Sequence, residues 1–348
     1  MSDSYQLISA ALEDCKNVLL TTHVRPDGDA LGSCAAMALG LSRRGISSTV
    51  LLLSHLPSKY AFVFRDNEIA HVDAEKGWPS TLSLDAFDAL IVLDTGTWSQ
   101  LPGLRERLST WAKPKLVVDH HLTQENWADA TLVVTEAAAA GEIVAELLDQ
   151  WGVELDRPIA AALYLAIASD TGWFQFSNTR PYTLRLAARL MEAGVDTDSL
   201  YKALYQNERA ERIALQTRAQ GSLELLCDGR LAVMRIGKKD FEETHAKVPD
   251  TENLINIPLQ IRTVEVSLVF TEPTEPGPIR VSLRSKGQVD VARFAEKFGG
   301  GGHARAAGLK VEGTLKDVHD TVLGEMVGTL GGTEAPAPAD GLQHEGTE

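Results

Sequence analysis

Residues 17–33 read NVLLTTHVRPDGDALGS. The short apolar run Val18-Leu19-Leu20 makes the segment from Asn17 to Thr22 a predicted buried strand. His23, Asp27 and Asp29 follow within seven positions. From Leu31, residues Cys34, Ala35, Ala38, Leu39 and Leu41 recur at helical spacing until Gly45 offers a stop. The stretch is therefore a strand, a polar loop and a helix, with one imidazole and two carboxylates at the strand's carboxyl end. A first helix, with Tyr5, Leu7, Ile8, Ala11 and Leu12 on one face, is expected ahead of it.

The pattern repeats outward. Further apolar runs occupy Thr49 to Leu53, Ala89 to Leu93 and Lys115 to Val118, separated by polar or helical stretches. Strands alternating with helices predict an α/β fold with a largely parallel sheet covered on both faces. Ligands of such sheets sit beyond the strands' carboxyl ends. There, Leu90-Ile91-Val92-Leu93 leads into Asp94-Thr95-Gly96, and Leu116-Val117-Val118 leads into Asp119-His120-His121. A helical apolar stretch, Ala161 to Ala168, ends in Ser169-Asp170-Thr171-Gly172.

At 348 residues the chain is longer than one core usually grows, so two domains are expected. Apolar residues at 44% and charged residues at 23% are ordinary for a globular protein. The net charge of −15 excludes a broad basic stripe for long nucleic acid, but leaves room for a short anionic substrate held by local positive charge. Cys15, Cys34 and Cys227 form no C-x-x-C pair, which argues against both a disulfide framework and a zinc ribbon and fits a reducing compartment. Asp3, Glu13 and Asp14 do not suit a signal peptide, and no apolar run approaches membrane-spanning length. A cytoplasmic protein is expected.

Helical patterns run through Tyr182 to Ala193 and Ser199 to Gln220, the second rich in Arg, Glu and Gln as a connecting helix would be. Strand-like segments follow at Leu231 to Ile236, Val264 to Phe270 and Arg280 to Ser285, then a helix around Val291 to Phe298 and the run Gly299-Gly300-Gly301-Gly302-His303. The expected organisation is a catalytic domain over 1–193, a helical linker over 194–220, a smaller α/β domain over 221–330 and a disordered tail over 331–348. That tail has almost no apolar bulk and neither Lys nor Arg.

His23, Asp27, Asp29, Asp94, His120 and Asp170 make a mixed imidazole and carboxylate set, which suits manganese, iron or magnesium better than a structural thiolate zinc site. Two divalent ions side by side need a bridging carboxylate and further ligands each. Such a pair can clamp a phosphoryl oxygen and activate water. Asp27 and Asp29, separated by Gly28 in a turn, can diverge toward two ions. Taken alone, Asp27-Gly28-Asp29 is most often just a turn, and Ala38 stands where an EF-hand would need Glu. Two Asp-Thr-Gly triplets also raise the aspartic protease dyad. That rival requires a largely β fold and leaves the histidines unexplained.

A four-glycine run is often a flexible linker, and this one lacks the Lys and Ser/Thr of a Walker loop. With His303 and Arg305 directly after it, a close-approach site for phosphate or nucleobase is preferred, to which Arg284, Ser285 and Lys286 could add a grip on phosphate.

These motifs, together with VLDTG, VVDHH, ASDTGWF at 168–174 and VSLRSKGQVDVARFAEKFGGGGHARAAG, resemble the DHH phosphoesterase superfamily in its DHH plus DHHA1 branch. The resemblance covers nearly everything except the tail, and within the branch it is strongest to stand-alone nano-RNases and 3′-phosphoadenosine 5′-phosphate (pAp) phosphatases. It implies a DHH domain joined by a helical linker to a DHHA1 domain, with the active site in the cleft between them. His23 and Asp27 would hold one metal, Asp29, His120 and Asp170 the other, and Asp94 would bridge. Asp119 would orient the histidines. His121 would stabilise charge or pass a proton at the scissile phosphate. Arg284, Ser285, Gly301, Gly302, His303 and Arg305 would fix the terminal nucleotide.

The implied cofactors are two divalent ions, Mn2+ first, with Mg2+ or Co2+ as substitutes. The implied substrates are short single-stranded RNA or DNA oligonucleotides and pAp, with no membrane partner and a homodimer allowed. Hydrolysis of cyclic di-AMP or pApA uses the same metal chemistry and stays open, as does a non-catalytic nucleic-acid-binding module with a vestigial metal site.

Overall fold

The structure, a computed structural model, describes residues 3–74, 77–80 and 82–331. The tail expected to be disordered lies, apart from Gly331, outside the described residues. The chain divides into two compact units, the first ending at Asn207 and the second beginning at Glu208.

The first unit carries α1 (Asp3–Ala11), β1 (Asn17–Thr22), α2 (Gly28–Arg43), β2 (Ser47–Leu52), α3 (Ala61–Arg65), β3 (His71–Asp73), β4 (Ala89–Leu93), α4 (Leu104–Leu108), β5 (Lys115–Asp119) and β6 (Ala130–Val133). Four helices follow: α5 (Ala140–Gln150), α6 (Arg157–Asp170), α7 (Pro181–Glu192) and α8 (Thr197–Tyr205). The six strands form one sheet in the order β3-β2-β1-β4-β5-β6, every neighbouring pair parallel. Core clusters cover both of its faces. Val18 and Leu20 point to one cluster with Leu31, Ala35 and Leu163, while Leu19 points to the other with Leu90, Leu104 and Trp111. Continuous apolar strands are what burial on two faces demands, and β1 and β4 are buried at nearly every position.

On one face α2 and α6 pack unusually close. A Cβ on Gly32 would stand 2.5 Å from the carbonyl oxygen of Ala162 and 2.9 Å from the amide nitrogen of Ala166. Only glycine permits that approach, and it brings the start of α2 beside α6, whose last residue is Asp170.

The second unit carries α9 (Ala210–Gly221), β7 (Glu224–Leu226), β8 (Leu231–Ile236), α10 (Lys238–Thr244), β9 (Val266–Thr271), β10 (Ile279–Ser285), α11 (Val291–Glu296), β11 (Gly301–His303), β12 (Ala306–Val311) and α12 (Leu315–Thr329). Its sheet runs β11-β12-β10-β9-β8-β7, antiparallel except between β8 and β9. The fold is thus α/β, with a parallel sheet in the N-terminal unit and a smaller mixed-sheet unit after it.

The single helical pattern expected over Ser199 to Gln220 is two helices, α8 and α9, one on each side of the division. The glycine run, for which the sequence favours a close-approach site over a flexible linker, ends in an edge strand. Gly300 and Gly302 lie so close to β12 that a Cβ on either would sit 2.4 Å from a carbonyl oxygen, of Gly308 and Ala306 respectively. Among the described residues no helix is long and apolar enough to cross a membrane.

Candidate metal centre

Three neighbouring parallel strands and two helices bring the predicted donors to one edge of the first sheet. His23, Asp27 and Asp29 follow β1 and open α2, Asp94 follows β4, Asp119 ends β5 with His120 and His121 next, and Asp170 ends α6. Asp27 caps α2, accepting from the N–H of Ala30 at 3.1 Å.

The six predicted donors form two groups, His23-Asp27-Asp94 and Asp29-His120-Asp170, and Asp94 also groups with His120 and His121. Nε2 of His23 lies 3.4 Å from Oδ2 of Asp94 and 3.9 Å from Oδ1 of Asp27. Nε2 of His120 lies 3.4 Å from Oδ1 of Asp94, 3.7 Å from Asp29 and 3.8 Å from Asp170. Within each of the sets His23-Asp27-Asp94 and Asp29-His120-Asp170, one donor atom per residue falls within 4.8 Å of the others. Asp94 thus turns one oxygen to each imidazole.

The backbone prepares these groups. Nδ1 of His23 faces the carbonyl of Val24 at 2.9 Å, and Nδ1 of His120 that of Ala137 at 3.1 Å. A proton on each Nδ1 leaves Nε2 as the available donor, the arrangement expected of ligating imidazoles. Asp94 sits at φ +63, in the left-handed region that costs an L-residue roughly 1–2 kcal/mol. Its N–H donates to the carbonyl of Val118, fixing it beside β5.

Asp29 is fully buried and accepts from Ala140 N–H (2.6 Å), Gly141 N–H (3.0 Å) and the Ser33 hydroxyl (3.0 Å), so it rests on the first turn of α5. Asn178 donates from Nδ2 to the Ala138 and Asp170 carbonyls and, at 3.5 Å, to the Asp170 carboxylate. Ala140, Gly141, Ser33 and Asn178 carried no sequence signal strong enough to be singled out.

Asp119 accepts the N–H groups of His120 and His121, Nδ1 of His121 at 2.8 Å and Nε2 of Gln124 at 2.6 Å. Its side chain therefore orients the ring of His121, whereas the Ala137 carbonyl orients that of His120. Behind the centre, the indole of Trp127 donates to the Gly96 carbonyl and stacks at 4.4 Å on Trp98, bracing the Asp94-Thr95-Gly96 turn.

Electrostatically the cluster is a set of mutual dependencies. Burial opposes protonation of His23 and His120, yet the surrounding carboxylates, Asp94 foremost, outweigh it and push them up to about 9 and about 10. Burial and the Asp94 charge hold the Asp29 carboxyl well above the usual carboxylate range, and burial raises Asp170 as well. Burial would raise Asp94 too, but His120 and His23 prevail and lower it. His121 is raised, chiefly by Asp119.

Such a group of acids around two imidazoles fits divalent cations. One buried atom supports the fit directly: Oδ1 of Asp94 has no hydrogen-bond donor among the described residues. An acceptor left bare in a buried site is costly, and a cation between Asp94 and His120 would satisfy it. A cavity of about 640 Å3 opens over the centre, lined by His23, Asp27, Asp94, His121 and Asp170 together with Thr95, Thr97, Ser99, Gln100, Leu122 and Thr123. A second cavity, of about 690 Å3, near the start of α6 contains none of these donors.

In the second unit Arg284, His303 and Arg305 lie at one end of the sheet. Arg284 pairs in register with Ala306, as does His303, and the carbonyl of Arg305 accepts from Ser285 N–H. His303, Arg305, Gly301 and Gly302 are exposed. Ser285 is buried, its hydroxyl accepting from Gly287 N–H at 2.9 Å; it supports the turn and is not offered at the surface.

Comparison with known proteins agrees with these two units. Residues 17–167 match the N-terminal domain of the DHH family, and residues 228–332 match the DHHA1 domain. The bifunctional oligoribonuclease and PAP phosphatase NrnA of Thermus thermophilus is 30% identical over 88% of this chain and 88% of its own length. The protein of the same name from Bacillus subtilis is 26% identical over 84% of this chain and 89% of its own. The crystal structure of an exopolyphosphatase-related protein from Bacteroides fragilis superposes with a TM-score of 0.77 at 23% identity, covering 94% of this chain and 98% of that one, and so shares the fold. The chain belongs to the DHH phosphoesterase family, in its DHH plus DHHA1 form.

Proposed function

We propose that this protein hydrolyses the phosphate esters of very short oligonucleotides, releasing mononucleotides, and converts pAp to AMP, with two manganese ions as cofactors. The observation that carries this reading is Asp94, whose two oxygens face two separate donor groups. His23 and Asp27 would hold one ion, Asp29, His120 and Asp170 the other. The pair would supply charge stabilisation for a phosphoryl oxygen and a water acidic enough to attack at neutral pH.

The chain's own residues do the rest. The carbonyls of Val24 and Ala137 fix the tautomers of His23 and His120. Asp119 holds His121 through Nδ1, leaving Nε2 to give a proton to the departing oxygen. In the second unit Arg284, His303 and Arg305, with the amides of Gly301 and Gly302, bind the terminal nucleotide. The activities for which the two relatives are named support the choice of substrates. So does the net charge of −15, which favours small ligands over long strands.

The test is hydrolysis with added Mn2+ of RNA dimers to pentamers, a 24-mer, pAp and cyclic di-AMP. Fast turnover of the short RNAs and pAp supports the reading. Preference for cyclic di-AMP or pApA would move the protein to second-messenger turnover, and no hydrolysis at all would leave a binding module.

A further inference from the structure

Four of the five non-glycine residues with positive φ described in the first unit lie in the segments that carry the metal donors. Asp94 is itself a donor, and Trp173 and Phe174 follow Asp170. The remaining one of the four is Arg25, at φ +55, between His23 and Asp27. It is exposed, and its guanidinium has no hydrogen bond, ion pair or ring contact among the described residues. Its backbone N–H donates to the Ser54 hydroxyl at 2.6 Å, which holds the strained turn in place. Glycine, or asparagine at little cost, would relieve such a conformation. A long cation kept there unpaired is the kind of local cost that marks a functional residue.

The location narrows the role. Arg25 follows β1 and Ser54 follows β2, and these strands are parallel neighbours, so the pair sits at the carboxyl edge that carries the metal donors. It sits toward β2, on the side away from β4 and β5, which deliver Asp94 and His120. The cavity over the donors is lined by three carboxylates and by neither Lys nor Arg. Cations at the centre and His121 would serve the phosphate being hydrolysed, and a second phosphate would have neither Lys nor Arg among those lining groups.

We infer that Arg25, with the Ser54 hydroxyl, binds a second phosphate of the substrate, adjacent to the one being hydrolysed, and so selects substrates with two phosphates over those with one. Guanidinium is suited to this because its planar fork donates two parallel hydrogen bonds to phosphate. Ser54, accepting from Arg25 N–H, keeps its own O–H to donate. This role rests on the phosphohydrolase reading above and adds a specificity determinant to it.

The experiment compares diadenylate with and without a 5′-phosphate in the presence of Mn2+, in the unaltered protein and in Arg25→Gly and Arg25→Lys. The unaltered protein should prefer the 5′-phosphorylated dimer. Arg25→Gly should shrink that preference about tenfold, mainly through KM, without lowering Tm because the left-handed strain is relieved, and Arg25→Lys should retain part of it. An unchanged preference overturns the inference. Equal loss on both dimers with altered Mn2+ affinity overturns it as well, since Arg25 would then only support the metal loop. Calorimetric binding of the two dimers is measured alongside. If the unaltered protein hydrolyses neither, the phosphohydrolase reading fails, while the binding comparison still decides the role of Arg25.

Discussion

Nε2 of His120 lies 3.4 Å from Oδ1 of Asp94, and that oxygen is buried without a hydrogen-bond donor among the described residues. The same carboxylate meets His23 through its other oxygen at the same distance. A side chain so placed cannot be exchanged for a neutral one without affecting both donor groups.

Asp94→Asn is the informative change, because asparagine tolerates the φ of +63 that alanine would resist. Metal-dependent hydrolysis is expected to fall by a factor on the order of a thousand, equivalent to about 4 kcal/mol of lost transition-state stabilisation. Circular dichroism should show the fold intact. Retained turnover would rule out the bridging role proposed for Asp94.

Asp119 is a different case, since it touches His121 and not the donor atoms of the centre. Every group facing it donates: two backbone N–H groups, the His121 ring and Gln124. In Asp119→Asn one oxygen becomes an NH2 aimed at donors, so the His121 ring should lose its alignment. A drop in kcat of roughly 10- to 100-fold is expected, with Mn2+ affinity nearly unchanged. A change in metal affinity and not in kcat would assign Asp119 to the metals.

Protons are tied to metal binding. With His23 raised to about 9 and His120 to about 10, both imidazoles are protonated at pH 7.5 in the metal-free chain. Cation binding there should release about two protons, read by calorimetry in two buffers of different ionisation enthalpy. The stability sign follows from the same shifts. Their folded values lie above the unfolded value of about 6.5, so their contribution is complete below that pH and is lost as pH rises through 9 to 10. Metal-free Tm should therefore fall across that window, and a flat profile would contradict the raised imidazoles.

Gly32→Ala tests the packing beneath the centre. The new Cβ would meet backbone atoms of α6 at 2.5 and 2.9 Å, which no side-chain rotation relieves. A loss of roughly 1–3 kcal/mol in chemical denaturation is expected, and no change would mean the two helices separate freely.

Much of this could be read from the chain alone, for physical reasons that vary by element. β1 and β4 match their expected bounds because a strand buried on both faces must be an unbroken apolar run. β3, with three residues of which two are exposed, has no such run, and β6 is only partly buried. The break between α8 and α9 at 206–209 carries neither Pro nor Gly, so periodicity ran through it. In the centre, residue type and position at strand ends marked the donors, but not what holds them. Asp29 is held by amides of Ala140 and Gly141, and backbone groups leave no mark on residue identity. Ser285 shows the converse: a polar side chain in a promising motif that folds inward to Gly287.

The predicted donors span the chain from residue 23 to residue 170 and come from the ends of three strands and from two helices, so no short peptide of this protein would contain the proposed metal site. A cation cannot template the chain as it does in a zinc finger, where binding and folding are one event. Asp29 is already sheathed in three hydrogen bonds from the protein itself. The centre is therefore a late product of folding: chelators should silence the protein while leaving it folded, and loading can wait until synthesis is complete.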